Sequence, residues 1–186
     1  MDEATSLVGA IREQVSALDA LTEEYLAFAR FPKAQFEDDS VNDMVAAVSE
    51  FVRPLAARQG ITVSVATDPA VPSMEIDRSL LRQAVLNLIK NGLEALSQGG
   101  TLTVTTRRAG DSVEIAVSDT GPGIPHDVGR RLFEQFFTTK PQGTGLGLSI
   151  SRQIVEEHEG EIRWSSAPGA GATFTMSLPI KKAAHV

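Results

Sequence analysis

The run Gly143-Thr144-Gly145-Leu146-Gly147-Leu148-Ser149-Ile150 decides how this sequence is read. Alternate glycines let the backbone approach a ligand and take conformations closed to other residues. The periodic apolar stretch that follows, closed by Gly160, predicts a helix from Gly145 to His158. The first N–H groups of such a helix are unpaired and its dipole is positive at this end. Loop and helix start together suit a polyphosphate. No Gly-Lys-Ser/Thr ends the run, so it is not a P-loop, and no strand leads straight into it, which excludes the dinucleotide fingerprint. Taken alone, the run is as compatible with a structural turn at a helix start as with a ligand loop.

Upstream, residues 119–144 are rich in glycine, proline and threonine, with one short amphipathic piece at Val128–Phe137. A connection this long points to function. It opens with Asp119-Thr120-Gly121-Pro122-Gly123-Ile124, directly after an apolar strand end. An acidic residue there can accept a hydrogen bond from an adenine amino group, or simply cap a tight turn. Before it, strands Thr101–Arg108 and Ser112–Ser118 flank a turn at Gly110-Asp111. Earlier still, Asp77 caps an amphipathic helix with Leu80, Leu81, Val85, Leu88 and Ile89 inward, ending before Gly99-Gly100. This helix carries Asn87-Leu88-Ile89-Lys90-Asn91-Gly92-Leu93-Glu94-Ala95. Asn87 and Asn91 lie four apart and share a face. Asparagine is a mediocre helix former, and two of them in a buried stripe suggest side-chain carbonyls for a hard cation such as magnesium, with the cationic Lys90 adjacent. Downstream of the glycine run, strands Glu161–Ser166 and Ala172–Leu178 enclose a Pro-Gly-Ala-Gly turn.

Toward the N-terminus, Ser40 reads as the N-cap of a helix running to Gln59, with Asp43 imitating the acid of a capping box and Gly60 as the stop. Pro54 is expected to kink or split it. Ile61–Ala66 alternates as a strand, and a proline-containing loop follows. Residues 33–39 form a polar junction. Leu7, Ile11, Leu18, Leu21, Tyr25 and Phe28 recur at three- and four-residue steps, interrupted by Gln14 and stopped by Pro32, and predict one long helix with a single apolar seam. That seam needs a partner helix from elsewhere, or folds back on its own domain. A mixed sheet with helices grouped together implies an α+β two-layer sandwich preceded by one long N-terminal helix.

The chain has 186 residues, room for one domain and a helical appendage. Its formal charge of −7 argues against a dedicated nucleic-acid binder. The absence of cysteine removes disulfides and thiol chemistry. No apolar run approaches the roughly 18 residues of a membrane span, and the first residues do not read as a signal peptide. A soluble, cytoplasmic fragment without membrane contact is expected, although a longer parent could be membrane-anchored.

These segments in this order, with Phe133-Glu134-Gln135-Phe136-Phe137-Thr138-Thr139-Lys140 between them, resemble the asparagine, glycine and phenylalanine boxes of the histidine-kinase ATPase family. Gly169-Ala170-Gly171-Ala172-Thr173-Phe174 is similar to its last glycine box, and the overall style is closest to nitrogen-regulation-type sensor kinases. The resemblance covers about 34–179. It implies a mixed sheet backed by helices, with a Bergerat-type ATP site between a helix pair and a mobile lid. Asp119 would bind the adenine amino group, with Thr173 beside it through water, and Gly121, Gly123 and Ile124 would shape the adenine pocket. Asn91 would coordinate Mg²⁺, Asn87 would help hold the metal or the phosphates, and Lys90 would contact phosphate. Gly143, Thr144, Gly145, Leu146, Gly147 and Leu148 would cradle the phosphates. Residues 126–142 would be the lid, anchored by Phe136 and Phe137, with Thr139 at the nucleotide and Lys140 reaching the γ-phosphate. The implied layout is part of a dimerisation and phosphotransfer hairpin at 1–32, a catalytic domain at 33–180 and a tail at 181–186. The implied partners are the histidine-bearing hairpin, a response regulator receiver domain and a second copy through residues 5–31, with no nucleic acid.

The resemblance has gaps. The family's acceptor histidine lies in a His-Glu/Asp box on the first hairpin helix, and none of His126, His158 and His185 sits in such a box. His158 ends a helix, where a cation suits the dipole. A fragment that begins between the two hairpin helices is therefore expected. Gly92 stands where alanine is commoner and should weaken its helix slightly. Related gyrase-type ATPases carry a glutamate where Asn87 stands; an amide cannot activate water, which implies transfer to a protein histidine rather than fast hydrolysis. An anti-sigma-type serine kinase and a nucleotide-gated interaction module are the alternatives.

Overall fold

The computed structural model describes residues 7–9, 12, 33–140 and 143–181. The expected N-terminal helix and the pairing through residues 5–31 fall almost wholly outside the described residues, as does most of the 181–186 tail.

From the junction onward the elements are β1 (Glu37–Asp39), α1 (Val41–Arg58), β2 (Ile61–Ala66), β3 (Met74–Ile76), α2 (Arg78–Ala95), β4 (Gly100–Ala109), β5 (Ser112–Asp119), the single-turn α3 (His126–Gly129), α4 (Gly147–Glu157), β6 (Glu161–Ser166) and β7 (Ala172–Pro179). Five strands make a mixed sheet in the order β2-β4-β5-β7-β6, with β2 parallel to β4 and the other neighbours antiparallel. α2 packs against both α1 and α4 on one face of it. This is the two-layer α+β sandwich expected from the sequence.

Strand alternation assigns the faces. Val113, Ile115 and Val117 of β5 and Phe174, Met176 and Leu178 of β7 are buried. They meet Met44, Val45 and Val48 of α1 and Leu81, Val85, Leu88 and Ile89 of α2, all 0–1 % exposed. Each such side chain stabilises the fold by roughly 1.5–3 kcal/mol relative to exposure, so α2 is held rigidly against the sheet. Ser40 caps α1 as expected, accepting from the Asp43 N–H. The acid that reaches back to the Ser40 N–H is Asp39, at 2.7 Å, and not Asp43.

Three expectations are corrected. α1 runs unbroken through Pro54. Pro54 lies on the exposed side of the helix, where the carbonyl it deprives of a partner can turn to water. The polar junction at 33–39 contains a strand: β1 pairs antiparallel with β3, Glu37 opposite Ile76 and Asp39 opposite Met74. Three-residue strands carry too few residues for any periodicity to show. Finally, His158 is not a cation facing the end of its helix. It is 4 % exposed, its Nε2 accepts from the Asp77 N–H at 3.1 Å, and its Nδ1 lies 2.7 Å from the Ile154 carbonyl. Accepting at one nitrogen and donating at the other is the pattern of a neutral imidazole.

That ring ties the C-terminal end of α4 to the start of α2, and the junction is tied to the same place. Asp77 caps α2 through the Leu80 N–H and accepts from the Gln35 N–H at 2.8 Å. The Phe36 ring meets His158 edge-on, 5.1 Å between centroids. Arg78 Nη1 binds both Asp39 oxygens at 2.8 Å.

Candidate functional site

The floor of the site is the second half of α2. With its other face buried, the helix presents Asn87, Asn91 and Glu94 on one side, at the three- and four-residue spacing that makes helix neighbours. Asn87 Nδ2 donates to the Gly147 carbonyl at 3.1 Å, which fastens α2 to the first turn of α4 and leaves Oδ1 as the remaining acceptor. Asn91 Oδ1 accepts from Lys140 Nζ at 3.2 Å, and the same ammonium is ion-paired with Glu94. A cationic group already rests on the oxygen expected to bind a cation, so the donor set fits a hard metal. Among the described residues no three His, Cys, Asp or Glu cluster as a metal cage. A metal here would lean on the amide together with phosphate and water oxygens, the usual habit of Mg²⁺. Lys90 is exposed and lies about 100° around the helix from Asn91; the structure does not bring it to the other site residues.

The second wall is the end of β5. Asp119 is its last residue and faces the helix layer, its Cβ 3.7 Å from where a Gly92 side chain would begin. Gly92 therefore answers to more than helix propensity: a methyl group there would overlap the Leu102 side chain. Asp119 Oδ1 accepts from the Gly121 N–H at 2.8 Å and from the Ala172 N–H at 3.4 Å, leaving Oδ2 as the remaining acceptor. Gly171 has φ +75°, and a Cβ on it would collide with the Asp119 carbonyl. The loop of Gly121, Gly123 and Ile124 is stitched to the β6–β7 turn by Ile124 N–H to Ser166 Oγ and Gly169 N–H to the Pro122 carbonyl, 2.8 and 2.7 Å.

Thr173 is not beside Asp119. Register pairs Ser118 with Thr173 and Asp119 with Ala172, and the Thr173 hydroxyl bonds the Ser118 hydroxyl on the opposite face of the sheet. The residue on the Asp119 side is Ala172, 6 % exposed. The inward run of Phe174, Met176 and Leu178 carried this signal, since two-residue alternation puts 172 inside and 173 outside.

The third wall is the glycine run. α4 begins at Gly147, two residues later than expected, and the side chain of its N-cap residue, Leu146, makes no capping hydrogen bond. Leu146 is fully buried, and Leu148 packs against the core, so their backbones, not their side chains, face a ligand. Gly145 has φ +71°, and a Cβ on it would collide with the backbone of Phe136 and Phe137. The Phe136 N–H donates to the Gly145 carbonyl at 3.1 Å. Glycine run and lid are thus pressed together main chain to main chain. Thr144 Oγ1 accepts from the Leu146 N–H at 3.4 Å, and the Gly143 N–H closes a turn on the Lys140 carbonyl at 3.1 Å.

The lid is anchored differently from the expectation. Phe136 has φ +62° and its ring is 56 % exposed, because that backbone turn throws the side chain outward. Phe137 is half-buried beneath Arg131, whose guanidinium carbon lies 4.1 Å from the ring centroid. Leu132 and Phe133 pack against the core, and Gly129 lies so close to Trp164 that a methyl group would overlap the indole. Thr139 and Lys140 are exposed at the tip. Sequence reasoning thus missed Phe133, Ala172 and Glu94. The helical spacing Asn87, Asn91, Glu94 was visible in the sequence; the lid residue that meets Glu94 was not.

Residues 76–182 match the family described as histidine kinase-, DNA gyrase B-, and HSP90-like ATPase. The signal transduction histidine-protein kinase AtoS of Escherichia coli (strain K12) is 33 % identical over 171 residues, covering 91 % of this chain and 28 % of its own length. Full-length ShkA in complex with AMPPNP superposes with a TM-score of 0.86 at 29 % identity, over 98 % of this chain and 40 % of that one. Histidine kinase ThkA in complex with response regulator protein TrrA does so with a TM-score of 0.79 at 25 % identity, over 97 % of this chain and 52 % of that one. The chain spans well under half the length of the curated relatives it matches.

Proposed function

Since the chain belongs to the histidine kinase-, DNA gyrase B- and HSP90-like ATPase family, we propose that it is the ATP-binding core of a two-component sensor histidine kinase. It would pass the γ-phosphate of ATP to a histidine carried on a segment other than these residues. The observation that carries this reading is the bond from Asn87 to the Gly147 carbonyl. It sets an amide-bearing helix face against a helix N-terminus, with Asp119 at the far end of the same groove.

The division of labour follows from the three walls. Asp119 Oδ2 accepts from the adenine amino group, its carboxylate oriented by two backbone N–H groups. The N–H groups of Gly147 and Leu148 and the flexible Gly143–Gly145 backbone take the phosphates. Asn91 Oδ1 offers a metal ligand, Asn87 Oδ1 a second one or a phosphate contact, and Lys90 and Lys140 supply mobile positive charge. Magnesium, when bound, would neutralise phosphate charge during transfer. What the chain contributes is positioning and electrostatics, the usual substance of phosphoryl transfer. The amide at Asn87 cannot itself act as a general base toward water.

The likeness to ShkA with AMPPNP supports an adenine nucleotide ligand, and the ThkA–TrrA complex supports a response regulator partner. We further assign residues 33–180 to the catalytic domain, 1–32 to part of a dimerisation and phosphotransfer hairpin that pairs two copies, and 181–186 to a tail, in a cytoplasmic kinase of nitrogen-regulation type. Among the described residues no helix is long and apolar enough to cross a membrane.

The test is binding followed by transfer. The chain should bind a fluorescent ATP analogue in the presence of Mg²⁺, fail to label itself, and label a separately supplied histidine-bearing hairpin. The phosphoryl product should be lost in acid. An acid-stable product would identify a serine kinase, and absence of any adenine nucleotide binding would remove the proposal altogether.

A further inference from the structure

The lid lysine has a seat on α2. Lys140 Nζ lies 3.2 Å from Asn91 Oδ1 and pairs with Glu94 on the next turn of α2. Its backbone is presented by a turn: the Lys140 N–H donates to Thr138 Oγ1 at 3.1 Å and its carbonyl accepts from Gly143. At its other end the lid is clamped through Phe136, strained at φ +62° and bonded to Gly145. The tip therefore swings from a fixed stem and comes to rest on two side chains of α2.

We propose that Glu94 is a positioning residue that parks Lys140 on Asn91 as a tethered surrogate cation, holding the lid tip against α2 until nucleotide draws the lysine away. This rests on the reading of the groove as an ATP site. The chemistry follows from one oxygen having two claimants. A magnesium ion binds oxygen at about 2.0–2.1 Å and repels an ammonium on the same atom. Asn91 can accept the metal only after Lys140 leaves. Triphosphate oxygens give that lysine a stronger partner than Glu94, because a pair as exposed as this one contributes little; its side chains are 42 % and 38 % exposed. Phosphate entry and metal entry are thereby ordered, and the same lysine that held the lid tip becomes the site's phosphate contact.

The test uses the whole 186-residue chain and two exposed positions whose change should leave the fold intact. Without nucleotide, chymotrypsin cleavage after Phe137, half-buried beneath Arg131, reports lid opening. Glu94→Gln and Lys140→Ala should each speed it about two- to fivefold, the size expected of one surface ion pair, the double variant no further, and Lys140→Arg should stay near wild type. With a fluorescent ATP analogue and Mg²⁺, Glu94→Gln should bind about two- to fivefold tighter and Lys140→Ala weaker. In the Lys140→Ala background Glu94→Gln should have no effect, which separates a latch from simple charge repulsion of phosphate. Unchanged cleavage in both single variants, or additive effects in the double, would overturn the proposal. Because cleavage is read on nucleotide-free protein, it stands or falls independently: a chain that binds no ATP refutes the function above, while the cleavage series still decides the latch.

Discussion

At one end of the groove Asp119 closes a central strand, gripped by two backbone N–H groups and by a glycine turn that touches its carbonyl. At the other, Lys140 hangs from a surface turn and is held by one exposed carboxylate and one amide. The first end is built from main chain with no room to move. The second is built from side chains and solvent-accessible contacts, the kind of region that opens at low free-energy cost. On the proposed function the two ends would have different tasks: the base would meet a preformed surface, whereas the phosphates would have to enter, be covered and be released.

This contrast can be broken by substitution. The largest effect is expected from Asp119→Asn, which keeps an acceptor for the Gly121 and Ala172 N–H groups but turns an amino group toward the adenine amino group. Affinity for the fluorescent ATP analogue should fall by about 100-fold or more, as when a desolvated donor faces a donor, with thermal stability nearly unchanged. Retained affinity would mean that the base lies elsewhere. Next, Gly171→Ala forces a methyl group onto the Asp119 carbonyl at φ +75°. Urea unfolding should show a loss of about 2–4 kcal/mol from strain and overpacking together. Gly145→Ala makes the same kind of error at the lid stem. It should cost only about 1 kcal/mol in global stability, since the lid can yield, yet weaken nucleotide binding roughly tenfold. Equal destabilisation by the two glycine variants would erase the distinction between rigid and yielding ends.

The smallest effect concerns the junction. Arg78 hydrogen-bonds the Asp39 carboxyl and holds it below its ordinary value of 3.8. The pair therefore stabilises the fold fully at neutral pH, and that contribution is lost as pH falls from 3.8 through the lowered value. With both side chains partly exposed, it should amount to under about 1 kcal/mol. Arg78→Ala should abolish this part of the acid sensitivity, measured as stability against pH between 5 and 2.5.

How far each wall could be read in advance follows the range of its contacts. The α2 floor was legible because two asparagines in an apolar stripe are a local anomaly. The glycine run was legible because glycines before a helix have few structural uses. Asp119 was legible as a residue type at a strand end. Thr173 lies opposite Ser118 on the outer face, as the alternation of its own strand assigns it. Pro54 does not split its helix, and it lies on the exposed side, where the freed carbonyl can meet water. The β1–β3 pair and the tie from Gln35 through Asp77 to His158 depend on segments far apart in the chain. No window along the sequence contains both partners.

By itself the sequence determined the order of the longer helices and strands, the inward faces, the caps at Ser40 and Asp77, and the residue types proposed for the groove, because these follow from short-range sterics, hydrogen bonding and periodic burial. Only the tertiary structure decided which residues meet: Ala172 beside Asp119, Phe133 as the lid's anchor, and Lys140 on Asn91 and Glu94. Those choices depend on strand register, on close approach between backbones and on competition among distant side chains for one partner, and they exist only once the helix layer has closed on the sheet.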